Sequence, residues 1–249
     1  MSDDNSIKLA DEFPNMNTEA ATLAYGAAAD GVFSTMHALM ADELLIRIKR
    51  KTLARIILDV GTGLGNLANE VKKRFSDADV YALDISEETL AFAKSHHRFS
   101  EGIKLVAGDV LRLPFPSDSI DVVTSFGSVH HWGNREAGIR EILRALSRKN
   151  GSGLAFIVDL RRDAKPEIVD KIASALAPET KHAFLESVRE SLAPEDVKAL
   201  IKKAGAKDFE VATDPFSMRA IALNARALRT GTLHIRPGDI LWGAFISVG

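Results

Sequence analysis

The sequence predicts an α/β protein on an open, mostly parallel sheet wound with helices on both faces, and three observations carry that prediction. Residues 55–66 read RIILDVGTGLGN, an apolar run that ends in an acid and opens directly into a glycine-spaced turn. The strand-then-acid unit recurs as DVYALD at 79–84 and IKLVAGD at 103–109, so three short strands end in Asp59, Asp84 and Asp109. After the turn, Leu64, Leu67, Ala68, Val71 and Phe75 recur at steps of three and four, as a helix packed on a sheet requires. In such sheets ligands bind in the crevice beyond the carboxyl ends of the strands, so the three acids should line one crevice.

The elements follow in order. Residues 1 to about 14 read as disordered, and Thr18–Ala29 and Ser34–Arg50 as helices broken at Asp30-Gly31. They precede the sheet, and Tyr25, Phe33, Met36, His37 and Met40 read by themselves as ordinary core contacts. Gly61, Gly63 and Gly65 let the backbone fold tightly and a ligand lie against the main chain, because glycine has no Cβ and tolerates positive φ. Asp59 is placed to hold this turn or to meet an ammonium group. Asp84, about twenty residues beyond the glycines, suits the two hydroxyls of a ribose. Ile85 can cover a purine face, while Ser86, as N-cap, with Glu87 and Glu88 starts a helix. Asp109 can accept from an exocyclic amine of adenine, with Val110 as an apolar wall.

Strand four, Ile120–Phe126, runs into Gly127-Ser128-Val129-His130-His131-Trp132. A histidine there suits proton transfer from a substrate hydroxyl or acidic carbon, or simple packing. Glu136–Ser147 reads as a helix ended by Gly151-Ser152-Gly153, and Leu154–Val158 as strand five, leading into Asp159-Leu160-Arg161-Arg162-Asp163. Those arginines either hold an anionic substrate or pair with Asp159 and Asp163. Helices are expected at Pro166–Leu176, Glu179–Ser191 and Pro194–Ala204, and strands at Lys207–Thr213 and Ile240–Val248. Between those strands, Pro215–Gly238 is longer than a hairpin needs and carries Arg219, Arg226, Arg229 and Arg236 without an acid. It suits an anionic substrate, a partner subunit or a solvated helix. The domain reading is a tail and helical cap at 1–50 and one domain at 51–249 with an insertion at about 215–238.

The run ILDVGTGLG, then YALDIS, then AGDVLRLPFPSDSIDVVTSFGSVHHW resembles a class I S-adenosylmethionine-dependent methyltransferase over roughly residues 50 to 212. In particular it is similar to the small-molecule group that includes the ubiquinone and menaquinone biosynthesis C-methyltransferases. That resemblance implies a Rossmann-like seven-stranded sheet whose last strand is antiparallel. It implies S-adenosyl-L-methionine as cofactor, with Asp59, Gly61, Thr62, Gly63 and Gly65 around its methionine end and Asp84 and Ile85 at the ribose and base. Asp109 and Val110 would meet the adenine, and Ser125 and Phe126 would lie along the cofactor. His130 and His131 are the candidate catalytic residues. No metal is implied: adjacent histidines make a poor site, and Asp159 lacks the neighbouring amide that metal-dependent catechol-type methylation wants.

A dinucleotide fingerprint would need glycine at Asn66 instead of Gly65, and Asp59 would repel a pyrophosphate. A formal charge of −2 over 249 residues gives no whole-chain attraction to nucleic acid, so no nucleic-acid partner is expected. The absence of cysteine removes any cysteine nucleophile. No membrane span or secretory signal is read, which points to a cytoplasmic protein. The sequence thus predicts methyl transfer to a small organic acceptor, in a chain that can form a homo-oligomer. The alternatives are nucleic-acid methylation and a catalytically silent cofactor-binding module acting through a partner protein.

Overall fold

The computed structural model describes residues 33–48, 54–96, 98–148, 153–223 and 236–248. The expected helix Thr18–Ala29, Tyr25, the Gly151-Ser152 turn, Arg226 and Arg229 lie outside the described residues.

Along the chain come α1 (Ser34–Arg47), β1 (Ile56–Val60), α2 (Asn66–Arg74), β2 (Asp79–Asp84), α3 (Glu87–Ser95), β3 (Ile103–Ala107) and β4 (Val122–Phe126). Then follow α4 (Arg135–Ala145), β5 (Gly153–Leu160), α5 (Pro166–Ser174), α6 (Pro178–Glu190), α7 (Pro194–Lys203), β6 (Asp208–Ala212), α8 (Met218–Leu223) and β7 (Leu241–Val248). The seven strands form one sheet in the order β3-β2-β1-β4-β5-β7-β6. The first five in that order pair in parallel, and β7 runs antiparallel to both neighbours. This is the expected doubly wound sheet, and its order reverses between β1 and β4. A crevice forms at that reversal because the connections on either side leave toward opposite faces.

Strand alternation sends residues to two cores. Ile57, Val80, Ala82, Phe156 and Val158 pack with α1, α2, α5 and α6, whereas Leu58, Leu83, Val123, Ala155 and Ile157 pack with α4 and α7. Side chains on a strand point to opposite faces with period two, so the fully buried central strands are apolar on both. Asp59 follows Leu58 and therefore lies on the α1 and α2 face.

Helix starts are set locally. Ser86 accepts from the Thr89 N–H at 3.0 Å, as an N-cap should, with Glu87 and Glu88 in the first turn. Asn134 caps α4 through the Ala137 N–H, while α5, α6 and α7 each open with proline. The N-terminal helix ends at Arg47, three residues before the sequence expectation. Ile48 turns extended there, and Arg47 packs over the Phe245 ring at 3.4 Å while bonding Glu43 and Glu210.

Candidate functional site

A cavity, open on one side, lies at the β1/β4 reversal. Its floor is the turn after β1. Gly61, Gly63 and Gly65 all take positive φ, at 66°, 52° and 82°, but their surroundings differ. A Cβ on Gly61 would stand 2.0 Å from Ser128 Oγ, and one on Gly65 would stand 2.2 Å from the Phe99 ring. At Gly63 nothing lies within 4 Å, and the same holds at Gly127 at the end of β4, where φ is 62°. Both open glycines line the cavity. Two glycines of the turn thus make room for protein, whereas Gly63 and Gly127 face the open space of the cavity.

Asp59, 2% exposed, anchors this floor by accepting from Thr62 Oγ1 at 2.7 Å and Thr124 Oγ1 at 2.8 Å. Burial pushes its carboxyl up to about 7, with Asp84 adding to the shift and the hydroxyl donors offsetting part of it. Asp84 accepts the Gly63 N–H at 2.8 Å through one oxygen and the Ser86 N–H at 3.0 Å through the other. It therefore braces the glycine turn and the start of α3 together. Burial raises its carboxyl above the ordinary value, against the pull of the N–H donors.

Of the residues singled out in the sequence, the cavity brings together Asp59, Gly61, Thr62, Gly63, Phe126, His130 and His131. Gly65, Asp84, Ile85, Asp109, Val110 and Ser125 do not line it. Ile85 is half exposed, and Asp109 accepts the Leu111 N–H and caps its own short turn. Ser125 is buried and donates to the Val60 carbonyl. Phe126 lies under α1, with His37 edge-on at 4.6 Å and Phe33 at 6.1 Å. Phe33 and His37 line the cavity, whereas Met40 is fully buried in the core.

Opposite the glycine floor stands the turn Val129–His131. His130 is buried, and Asp159 at the end of β5 grips it twice. The carboxylate takes the His130 backbone N–H at 3.0 Å and sits 2.8 Å from Nδ1. Burial works to raise the Asp159 carboxyl, but the adjacent His130 and its N–H donors more than offset this and hold it below the usual carboxylate range. With Nδ1 engaged by the acid, Nε2 is the remaining ring nitrogen, buried and without a hydrogen-bond partner among the described residues. His131 stands at the rim, open to solvent on one side. Lost hydration on the cavity side pushes its imidazole down to about 4, with His130 adding to the shift. A base so weakened takes protons poorly.

The far wall went unread in the sequence. Thr180, Ala183, Phe184 and Ser187 project from one face of α6, and Leu160 and Leu241 close the back. Their i, i+3, i+4, i+7 spacing was the available signal, but it reads equally as a core face. Arg135 ties this wall to the histidine turn. Its guanidinium donates to the His130 carbonyl at 2.9 Å and to the Glu190 carbonyl, at the end of α6, at 2.8 Å. The arginines after β5 face elsewhere: Arg161 pairs with Asp163 and Arg162 with Asp196. Asp159, offered in sequence as their partner, belongs to His130 instead.

Comparisons with known proteins agree with this geometry. Residues 58–154 match a family model described as a methyltransferase domain. An uncharacterized methyltransferase, YdaC of Bacillus subtilis, is 30% identical over 133 residues, covering 53% of this chain and 72% of that protein. The chain belongs to the class I S-adenosylmethionine-dependent methyltransferases. Within that family, the demethylmenaquinone methyltransferase of Thermotoga maritima is 27% identical over 202 residues, covering 75% of this chain and 78% of that protein. The chain spans about half or less of the length of other curated relatives it matches. Among solved structures, the plantazolicin methyltransferase BpumL, in complex with a triazolic desmethylPZN analog and SAH, superposes with a TM-score of 0.75. It is 18% identical, with coverage of 98% of this chain and 96% of that one, and at that identity the likeness is one of fold.

Proposed function

We propose that this methyltransferase transfers the methyl group of S-adenosylmethionine to a small organic acceptor, with His130 as the base. One observation carries the reading: a single cavity is lined by the open-glycine floor, by buried Asp59 and by His130, whose Nδ1 is held by the buried Asp159.

The residues present fit the cofactor. Gly63 and Gly127 leave main chain bare where its methionine half would rest, and Asp59 offers a carboxyl to its ammonium. Asp84 has lone pairs left for ribose hydroxyls after bracing Gly63, and Ile85, Asp109 and Val110 flank the place for adenine. When bound, S-adenosylmethionine supplies an electrophilic methyl whose C–S bonding pair leaves on sulfur, with S-adenosylhomocysteine as by-product.

The chain's own work is positioning and proton transfer. Phe33, His37 and Phe126 cover the cavity from the α1 side and α6 walls the other, which holds the acceptor and keeps water out. Such positioning contributes roughly 7–11 kcal/mol, and a well-placed base about 10²–10⁴ in rate. Asp159 positions that base by fixing Nδ1.

Calorimetry with S-adenosylhomocysteine tests the cofactor half. Binding is expected, and Asp84→Ala should weaken it by about 10- to 100-fold, since hydrogen bonds to a charged group are worth about 1.5–3 kcal/mol. Unchanged affinity in that variant would remove Asp84 from the cofactor site. Transfer of labelled methyl into a metabolite extract tests the acceptor half.

A further inference from the structure

From the glycine turn to α4, four residues stand in a row. A Cβ on Gly61 would lie 2.0 Å from Ser128 Oγ and 2.6 Å from Ser128 Cβ, so the serine fills the space that this glycine leaves. Ser128 Oγ accepts the indole N–H of Trp132 at 2.9 Å. The indole lies against α4, where a Cβ on Gly138 would stand 2.7 Å from its ring carbon Cε3. One glycine of the cavity floor and one of α4 thus bracket a hydrogen-bonded serine and tryptophan, both buried and neither lining the cavity.

The same pair closes the turn that carries the cavity histidines. Ser128 and Trp132 flank the single turn Val129–His131. Within it the His131 N–H donates to the Ser128 carbonyl at 3.0 Å and the Trp132 N–H to the Val129 carbonyl at 3.1 Å. The indole bond spans this turn and ends on the oxygen that fills the space beside Gly61. Among the described residues no backbone hydrogen bond joins Gly61–Gly65 to Gly127–Trp132. The two turns are therefore registered against each other by side chain. A buried donor left without a partner pays its full desolvation, so Trp132 favours the one placement of Ser128 that satisfies it.

Resting on the cofactor reading of the glycine turn, we infer that Trp132 is a positioning residue for that turn. Through Ser128 it holds Gly61 where the turn receives S-adenosylmethionine, and it fixes the turn of His130 and His131 to the same spot. The indole acts through the serine and touches neither reactant. A ligand seated on the glycine turn bears on Ser128 through Gly61 and so alters the bond that Trp132 makes. Trp242, the other tryptophan of the chain, is a built-in reference: it is buried, and its Nε1 has no partner among the described residues.

The test follows the two indole N–H signals by nitrogen NMR while S-adenosylhomocysteine is added, with calorimetry alongside. Trp132→Phe removes one signal and so assigns both. Saturation should shift the Trp132 signal and leave that of Trp242 in place. Trp132→Phe keeps an apolar ring against Gly138 and loses the donor; it should weaken S-adenosylhomocysteine binding by about 3- to 10-fold, the worth of one hydrogen bond. Ser128→Ala should weaken it equally, and the double variant no further than either. Should Trp132→Phe not fold, Ser128→Ala serves for both measurements, since loss of the acceptor moves the Trp132 signal alone. A parent that binds no S-adenosylhomocysteine overturns the cofactor reading and this inference with it. Binding with an unmoved Trp132 signal, with equal shifts of both indoles, with unchanged affinity in the variants or with additive losses overturns the inference alone.

Discussion

The two halves of the cavity are built in different ways. The half proposed for the cofactor is backbone: Gly61, Thr62 and Gly63 in one turn, fixed by carboxylates at the ends of two adjacent strands. The half proposed for the acceptor is side chain: a histidine from the turn after β4, held from behind by an acid of β5, with one face of α6 and the start of α1. Parts brought together by a local turn are written contiguously, while parts brought together by the sheet are scattered over about 150 residues of chain. The first half can therefore be disabled through conformation and the second through chemistry.

The largest separation should come from His130→Gln. It is expected to lower methyl transfer by about 10²–10⁴-fold in single-turnover assays while leaving S-adenosylhomocysteine affinity within about twofold. A matching loss of affinity would show that the two halves are not separable.

Next, the glycines should divide. Gly65→Ala drives a Cβ into the Phe99 ring at φ 82°, and should cost about 2–4 kcal/mol of stability in denaturant titration. Gly63→Ala meets open space, so it should cost about 1 kcal/mol from positive φ alone yet lose most cofactor affinity. Equal destabilisation would mean that the turn, and not the ligand, requires Gly63.

A further effect is a pH signature. Asp59 is raised to about 7 in the folded chain, above its ordinary 3.8, so the native state keeps a proton that the unfolded state releases. Stability therefore falls as pH rises from about 4 to about 7, and the loss is complete above that. Asp59→Asn should remove this slope and melt at higher temperature than the parent at pH 8, with little difference at pH 4. The same variant should bind S-adenosylhomocysteine about tenfold more weakly, losing the carboxyl that faces an ammonium. In the parent, affinity should rise with pH through about 7, as a carboxyl ready to ionise meets a cation.

The strands, the glycine turn and the acids at strand ends were legible because each rests on short-range pattern. The antiparallel direction of β7 came from family resemblance, since nothing in Leu241–Val248 marks it, and its place between β5 and β6 came from the structure alone. Spacing alone did not separate glycines that clear protein from those that clear ligand: Ser128 and Phe99, which decide the matter, lie 67 and 34 residues away from Gly61 and Gly65. Asp159 was misassigned for a similar reason. Arg161 and Arg162 are its near neighbours in sequence, and His130, 29 residues back, is its neighbour in space.

The position of β7 also bears on how the chain is made. Among the described residues β6 finds its only strand partner in β7, and the eight-residue edge of β5 is covered by the same strand. Everything from Gly153 to Ala212 leaves the ribosome before that partner exists. A nascent chain stalled short of Leu241 displays a bare apolar edge, the template on which copies of a protein zip into aggregates. Yield in a host cell should accordingly depend on chaperone supply while Leu241–Val248 is still to be made.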